Sequence, residues 1–270
     1  MTQAVEIANE VAIKAPQKQE QPEKQPKLTF AEYLEYEGDT DVLYELFKGQ
    51  LIPRSAPTLH HAKICEFLIY KLQRYFATQN LALVAKTTVG VRTEDNSSRI
   101  PDAIVCEQSL WEQISDRPGA GVLDFAEKPL IVVEIVSSDR RNDYVTKRSE
   151  YEIAEIPEYW IVDPKKKRVR VFTNPTQEEG YSFADFSEDS LMVSEQFKQL
   201  SLSVKKMLNP PVVEQLIKEE QSKIKSLEQV AETQRQRAEA ERQRAEAERQ
   251  RAEKLAQRLR EMGVNPDEVN

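Results

Sequence analysis

The run Leu130-Ile131-Val132-Val133-Glu134-Ile135-Val136 decides the fold class of this 270-residue chain. All but one of its residues are apolar and most are β-branched, the signature of a strand covered on both faces rather than one with a wet side. Such a strand needs helices above and below it. The flanking segments supply them: His61 to Thr78 places Ile64, Phe67, Leu68, Leu72 and Tyr75 on one helical stripe, and Asp143 to Ile156 reads as a second helix. Leu81 to Arg92, Ile100 to Cys106, Tyr159 to Val162 and Arg168 to Phe172 are strand-like, and Tyr44 to Ile52 reads as two short strands around a Lys48-Gly49 turn. Thr29 with Glu32 three residues on predicts a capping box for a short helix from Phe30 to Tyr36. Beyond Phe172 the alternation to Leu208 is poor. The result is a mixed α/β domain with two long helices covering a sheet.

Outside that domain the composition changes. Residues 1–27 are rich in Gln, Glu, Lys and Pro and poor in large apolar residues, which predicts a disordered arm and gives no secretory leader. From Pro211 to Met262 no Pro or Gly interrupts the chain after Pro211, and Arg-Gln-Arg-Ala-Glu-Ala-Glu recurs from Arg235 and Arg242 and starts again at Arg249. A seven-residue repeat of this kind predicts a charged helix over 211–262, with residues 263–270 as a flexible tail. Ile217, Ile224 and Leu227 at one end and Leu255, Leu259 and Met262 at the other give proper seams, while the middle offers only Ala, Gln and Glu at the seam. Two readings stay open: a self-supporting solvated helix laced by i,i+4 pairs such as Arg242–Glu246, or a weak homodimeric coiled coil.

The formal charge is −8, from 38 basic and 46 acidic residues, and Leu28 to Pro210 alone carries −7. No net positive field therefore announces a nucleic acid, and any such partner would need a local basic surface. Cys65 and Cys106 lie in apolar runs without metal or disulfide spacing, and no run of 18 apolar residues exists, so a cytoplasmic protein without a membrane span is expected.

Glu134 is the residue out of place. An isolated carboxylate in a buried strand is costly unless paired or metal-bound. Either it points outward near the strand end and pairs with Arg140 or Arg141, or a second carboxylate converges on it. Asp102 is the candidate, following Pro101 at the entrance of Ala103-Ile104-Val105-Cys106, although Pro-Asp is also a plain turn signal. Two hard oxygen donors at adjacent strand ends suit Mg²⁺, and a nearby ammonium would stabilise developing negative charge. Lys147 is placed for that, because Asp143, Lys147 and Tyr151 share one helical face; an exposed Asp143–Lys147 ion pair is the plainer alternative.

These residues carry a resemblance. Tyr44-Glu45-Leu46 with Gly49, Pro57 and His61, Pro101-Asp102, Val133-Glu134-Ile135-Val136-Ser137-Ser138, Asp143-x-x-x-Lys147-x-x-x-Tyr151 and Glu158-Tyr159-Trp160-Ile161-Val162-Asp163-Pro164 resemble, in that order, the Uma-two family of endonucleases. That family belongs to the restriction-endonuclease-like PD-(D/E)xK superfamily. The resemblance spans Leu28 to Leu208. It implies a restriction-endonuclease-like α-β-β-β-α-β core with a four-stranded mixed sheet, and Mg²⁺-dependent (or Mn²⁺-dependent) hydrolysis of nucleic-acid phosphodiesters, DNA ahead of RNA. By the same resemblance Asp102 and Glu134 are metal ligands, with Glu45 completing the site. The lysine of the (D/E)xK element is absent, since Val136 stands there, and Lys147 takes its role with Tyr151 one turn further on. His61 matches a family histidine at the entry of the first core helix, where it either faces the cleft or caps the helix.

Asp163-Pro164-Lys165-Lys166-Lys167-Arg168 is the densest basic run of the acidic domain. It is either a solubilising hairpin loop or a phosphate clamp beside the cleft. Trp160 reads as core. A second class of function also stands beside the nuclease: a non-catalytic scaffold that keeps the nuclease fold and acts through its C-terminal helix.

Overall fold

The computed structural model describes residues 27–38, 42–137, 139–176 and 178–263. Helix α1 (Phe30–Leu34) starts at the expected capping box: the Thr29 hydroxyl accepts from the Glu32 amide, and the Glu32 carboxylate accepts from the Thr29 amide. Strands β1 (Tyr44–Phe47) and β2 (Gln50–Pro53) form the expected hairpin. Lys48 and Gly49 turn it with φ of 50° and 82°, and a Cβ on Gly49 would sit 3.0 Å from the Leu28 carbonyl oxygen, so any other residue there is strained. Helix α2 (Leu59–Thr78) buries Ile64, Phe67, Leu68 and Leu72 as read from the stripe, with Phe76 rather than Tyr75 closing it.

The expected strand over Leu81–Arg92 is two strands, β3 (Leu83–Lys86) and β4 (Gly90–Glu94), in different sheets; between them Thr88 adopts a left-handed φ of 61°, which no continuous strand allows. Then come β5 (Ser97–Arg99), β6 (Ala103–Glu107), α3 (Gln108–Ile114), the short β7 (Val122–Leu123) and β8 (Ile131–Ile135), which is buried at every position. The expected helix over Asp143–Ile156 opens as a π-helical turn at Asn142–Lys147 before becoming α4 (Arg148–Ile153). Strands β9 (Glu158–Asp163) and β10 (Arg168–Thr176) follow as expected. The stretch without clear alternation is ordered too, as β11 (Gly180–Ser187), β12 (Leu191–Val193), β13 (Ser201–Ser203) and α5 (Val204–Leu208). Helix α6 (Val213–Glu261) then runs unbroken for 49 residues, about 74 Å.

The central sheet has the order β11-β10-β9-β8-β6-β3, antiparallel except for the parallel pair β8 and β9, whose connection carries the π turn and α4. It is mixed as expected, and wider than the implied four strands by the β10–β11 hairpin. A second sheet, β2-β1-β5-β4-β7, leans on it, and β12–β13 form a small ribbon. One face of the central sheet, with Val133, Ile135, Trp160 and Val171, packs under α2 and α5. The other, with Val132, Tyr159, Ile161 and Phe172, packs with Tyr151. Helix α6 is held at its start: Val213 is buried, and Glu220 meets Arg74 and accepts from Tyr70 Oη at 3.1 Å.

The expected arm over 1–27 and tail over 263–270 lie outside the described residues, apart from Lys27 and Gly263. Among the described residues no helix is long and apolar enough to cross a membrane.

Candidate active site

Because successive side chains of β8 alternate between faces, Val133 and Ile135 go to the α2 side and Glu134 goes to the other, under the π turn. It is 2% exposed, so it does not point outward. Lys147 Nζ lies 2.9 Å from Glu134 Oε1, and Tyr151 Oη donates to the same oxygen at 2.9 Å. Arg140, an expected partner of an outward Glu134, binds Asp163 instead. The ammonium of Lys147 is also 3.7 Å from Asp143 Oδ1 and 3.8 Å from Glu45 Oε1. Asp143 and Lys147 are each 6% exposed, which replaces the plain surface ion pair with a buried one. The structure thus brings Glu45, Glu134, Lys147 and Tyr151 together and adds Asp143.

Asp102 is beside this group rather than inside it. Its amide donates to Val133 O at 3.0 Å, pinning the entrance of β6 to β8. Its carboxylate accepts from the Ile135 amide at 2.7 Å, from Arg54 at 3.0 Å and meets His61 Nε2 at 3.0 Å. The His61 imidazole therefore faces the cleft; the cap of α2 is Thr58, whose hydroxyl accepts from the His61 amide. Nδ1 of His61 is buried with no partner among the described residues. Arg54 and His61 side chains are 27% and 16% exposed against 3% for Glu134, so the cluster opens to solvent on their side.

Sequence reasoning missed the clamp that holds Glu45. Arg99 Nε and a terminal nitrogen each donate to Glu150 at 2.6 Å, and the other terminal nitrogen donates to Glu45 Oε2 at 3.0 Å. Glu45 Oε1 accepts from the Ile100 amide at 3.1 Å. Arg99 and Glu150 are both buried, and their only signal in the sequence is a lone arginine just before Ile100-Pro101-Asp102.

Burial drives the electrostatics. It pushes Glu134 up to about 8 despite Lys147, and Asp143 up to about 6. Burial alone would lower Lys147, but Glu134, Glu45 and Asp143 raise it, so the ammonium stays charged. Burial would raise Asp102 as well, yet His61, the Ile135 amide and Arg54 hold it below its ordinary value. With Arg99 shared between Glu45 and Glu150, one ammonium is left for both Glu134 and Asp143, and their surplus negative charge is relieved by protons. A hard divalent cation suits such a place: the donors are all carboxylate oxygens, desolvated and short of positive charge. Among the described residues no three His, Cys, Asp or Glu side chains stand at metal-ligand spacing; the acids converge on Lys147 instead.

Residues 30–205 match the family Uma2, described as "Putative restriction endonuclease". The chain belongs to this family. The Uma2 match takes in every residue of the cluster, from Glu45 to Tyr151, and excludes α6. The fold agrees with a crystal structure of a "putative nuclease belonging to DUF820" from Anabaena variabilis ATCC 29413, with a TM-score of 0.53 and 22% identity over 67% of this chain and 98% of that one. No curated protein matches the chain. The domain thus has the restriction-endonuclease-like α/β fold of a nuclease family, and the long C-terminal helix α6 follows it outside the family match.

Proposed function

We propose that this Uma2 chain is a metal-dependent endonuclease that hydrolyses nucleic-acid phosphodiester bonds, DNA ahead of RNA. The observation that carries the proposal is the buried Glu134–Lys147 pair, 2.9 Å apart, with Glu45 and Asp143 around the same ammonium and Asp102 next to it. Asp102 and Glu134, with Glu45, would hold Mg²⁺ or Mn²⁺, which when bound supplies an acidified water and neutralises charge on the phosphoryl group. Lys147 keeps a proton at Nζ, where it orients the attacking water or offsets negative charge growing on the phosphate. Tyr151 fixes Glu134 Oε1, Arg99 fixes Glu45, and Arg54 and His61 fix Asp102 at the open side.

The test is cutting of labelled DNA and RNA by the purified chain with Mg²⁺, Mn²⁺ and chelator. Cutting should need the divalent ion, and Asp102→Ala, Glu134→Ala and Lys147→Ala should each lower it by on the order of 10²-fold or more. Wild-type activity in chelator would sink the proposal.

The working boundaries are a nuclease domain at 28–210 and a helical extension at 211–262. The unpaired thiols of Cys65 and Cys106 favour a reducing, cytoplasmic setting. A second reading, a scaffold acting through α6, draws on one feature: beyond Glu220 that helix leaves the domain with Ile224, Leu227 and Val230 exposed. That seam supports pairing with a second copy, a role compatible with either reading.

A further inference from the structure

The cluster does not end at Glu134. Glu134 pairs across the sheet with Ile161, Ile161 with Arg170, and Arg170 with Asp185, so all four residues project from one face. At one strand spacing per step, Arg170 lies about 10 Å from Glu134. The space between is roofed by Tyr144, the residue after Asp143 in the π turn. Its hydroxyl donates to Asp163 Oδ2 at 2.9 Å, and the guanidinium carbons of Arg140, Arg168 and Arg170 stand 5.1, 5.4 and 5.9 Å from its ring centroid. The β9–β10 turn adds the exposed Lys165, Lys166 and Lys167 at the same edge.

This patch has more positive charge than its own acids absorb. Asp163 is taken by Arg140, Asp185 by Arg168 and Arg170, and Glu188 by Lys167. Lys165 and Lys166 have no ion-pair partner among the described residues, and Arg168 Nε is buried without an acceptor. Six cations against three acids is a local reversal of sign in a domain of net −7. Donors in excess, arranged along a sheet face beside the proposed cleavage site, complement the negative charge of successive phosphates.

We propose that the Arg140, Lys165–Lys167, Arg168 and Arg170 face is the docking track for the sugar–phosphate backbone of the substrate on one side of the scissile bond. It rests on the nuclease reading above. The track recognises phosphates, so its binding is independent of base sequence and falls with salt.

The experiment is fluorescence anisotropy of a labelled DNA oligonucleotide with the full chain in chelator, over a range of salt, alongside cutting with Mg²⁺. The variant is K165E/K166E, two exposed turn residues. The control is K205E/K206E, equal in charge change but on α5, across the sheet from Glu134. In K165E/K166E the slope of log affinity against log salt should shrink by roughly 1.4 to 1.8, the release of two phosphate contacts. The Michaelis constant for cutting should rise, and K205E/K206E should bind as wild type. Unchanged binding by K165E/K166E, an equal loss in the control, or no binding by the wild type overturns the track. Cutting that survives while K165E/K166E binds normally overturns the track and leaves the nuclease reading standing. Salt-sensitive binding lost in K165E/K166E, with no cutting under any divalent ion, upholds the track and overturns the nuclease reading.

Discussion

Among the described residues Lys147 is the one cation paired with Glu134 and Asp143, and its removal strands those two buried carboxylates while Glu45 keeps Arg99. Lys147→Met should cost about 3–5 kcal/mol in chelator, read as a lower denaturation midpoint, and Mg²⁺ should restore part of the loss. An equal loss with and without Mg²⁺ would show that the acids do not take up the ion. The proton bookkeeping gives the pH dependence. Below its pKa of about 8 Glu134 holds a proton that a cation must displace, and Asp143 does so below about 6. Divalent affinity should therefore strengthen as pH rises from about 6 to about 8, where the proton on Glu134 is the one displaced, by up to about tenfold per unit, measured by calorimetry in buffers of different ionisation heat. Glu134→Gln should flatten that slope. At this scale Glu134 was legible because a charge inside an apolar strand needs a reason. Arg99 and Glu150 were not, because they are 51 residues apart and only the meeting of β5 with α4 makes them a pair.

The elements place these side chains, and one of them departs from regular geometry where it does so. The turn at Asn142–Lys147 is π-helical, a form that concentrates at functional sites; it carries Asp143 and Lys147 inward and Tyr144 over the arginines. Helical spacing predicted the shared face of Asp143, Lys147 and Tyr151, but nothing in the residues marked the wider turn. The β1–β2 hairpin, by contrast, was legible from Lys48-Gly49 alone. Gly49→Ala should destabilise by about 1 kcal/mol or more, since a Cβ meets both the left-handed backbone and the Leu28 carbonyl. Thermal denaturation would show it, and a midpoint equal to wild type would mean the turn relaxes freely. The β11–β13 region escaped the sequence because its burial is one-sided and broken: of the β11 residues only Tyr181 is buried. Pairing with β10 orders it, and that is a tertiary event.

Across the whole molecule, charge and shape divide differently from what a net value suggests. The domain is acidic, yet its surplus acids ring Lys147 while its surplus cations gather around Tyr144 on the same sheet face. Helix α6 is legible from its repeat alone, because a heptad without Pro or Gly has few other solutions. The sequence leaves open whether it pairs, since the seam residues at its two ends are separated by Ala, Gln and Glu. Sedimentation equilibrium of the full chain should give a dimer that dissociates in I224E/L227E, with the domain's thermal transition unchanged. A monomeric wild type would remove the pairing proposal.

If two copies pair through α6, its length would act as a ruler. Parallel partners joined at Ile224 and Leu227 would hold two cleavage centres side by side, within reach of one stretch of duplex. Antiparallel partners would hold them on the order of a helix length apart, about 74 Å. The distance between paired nicks on a long duplex would then report the direction in which two rods lie.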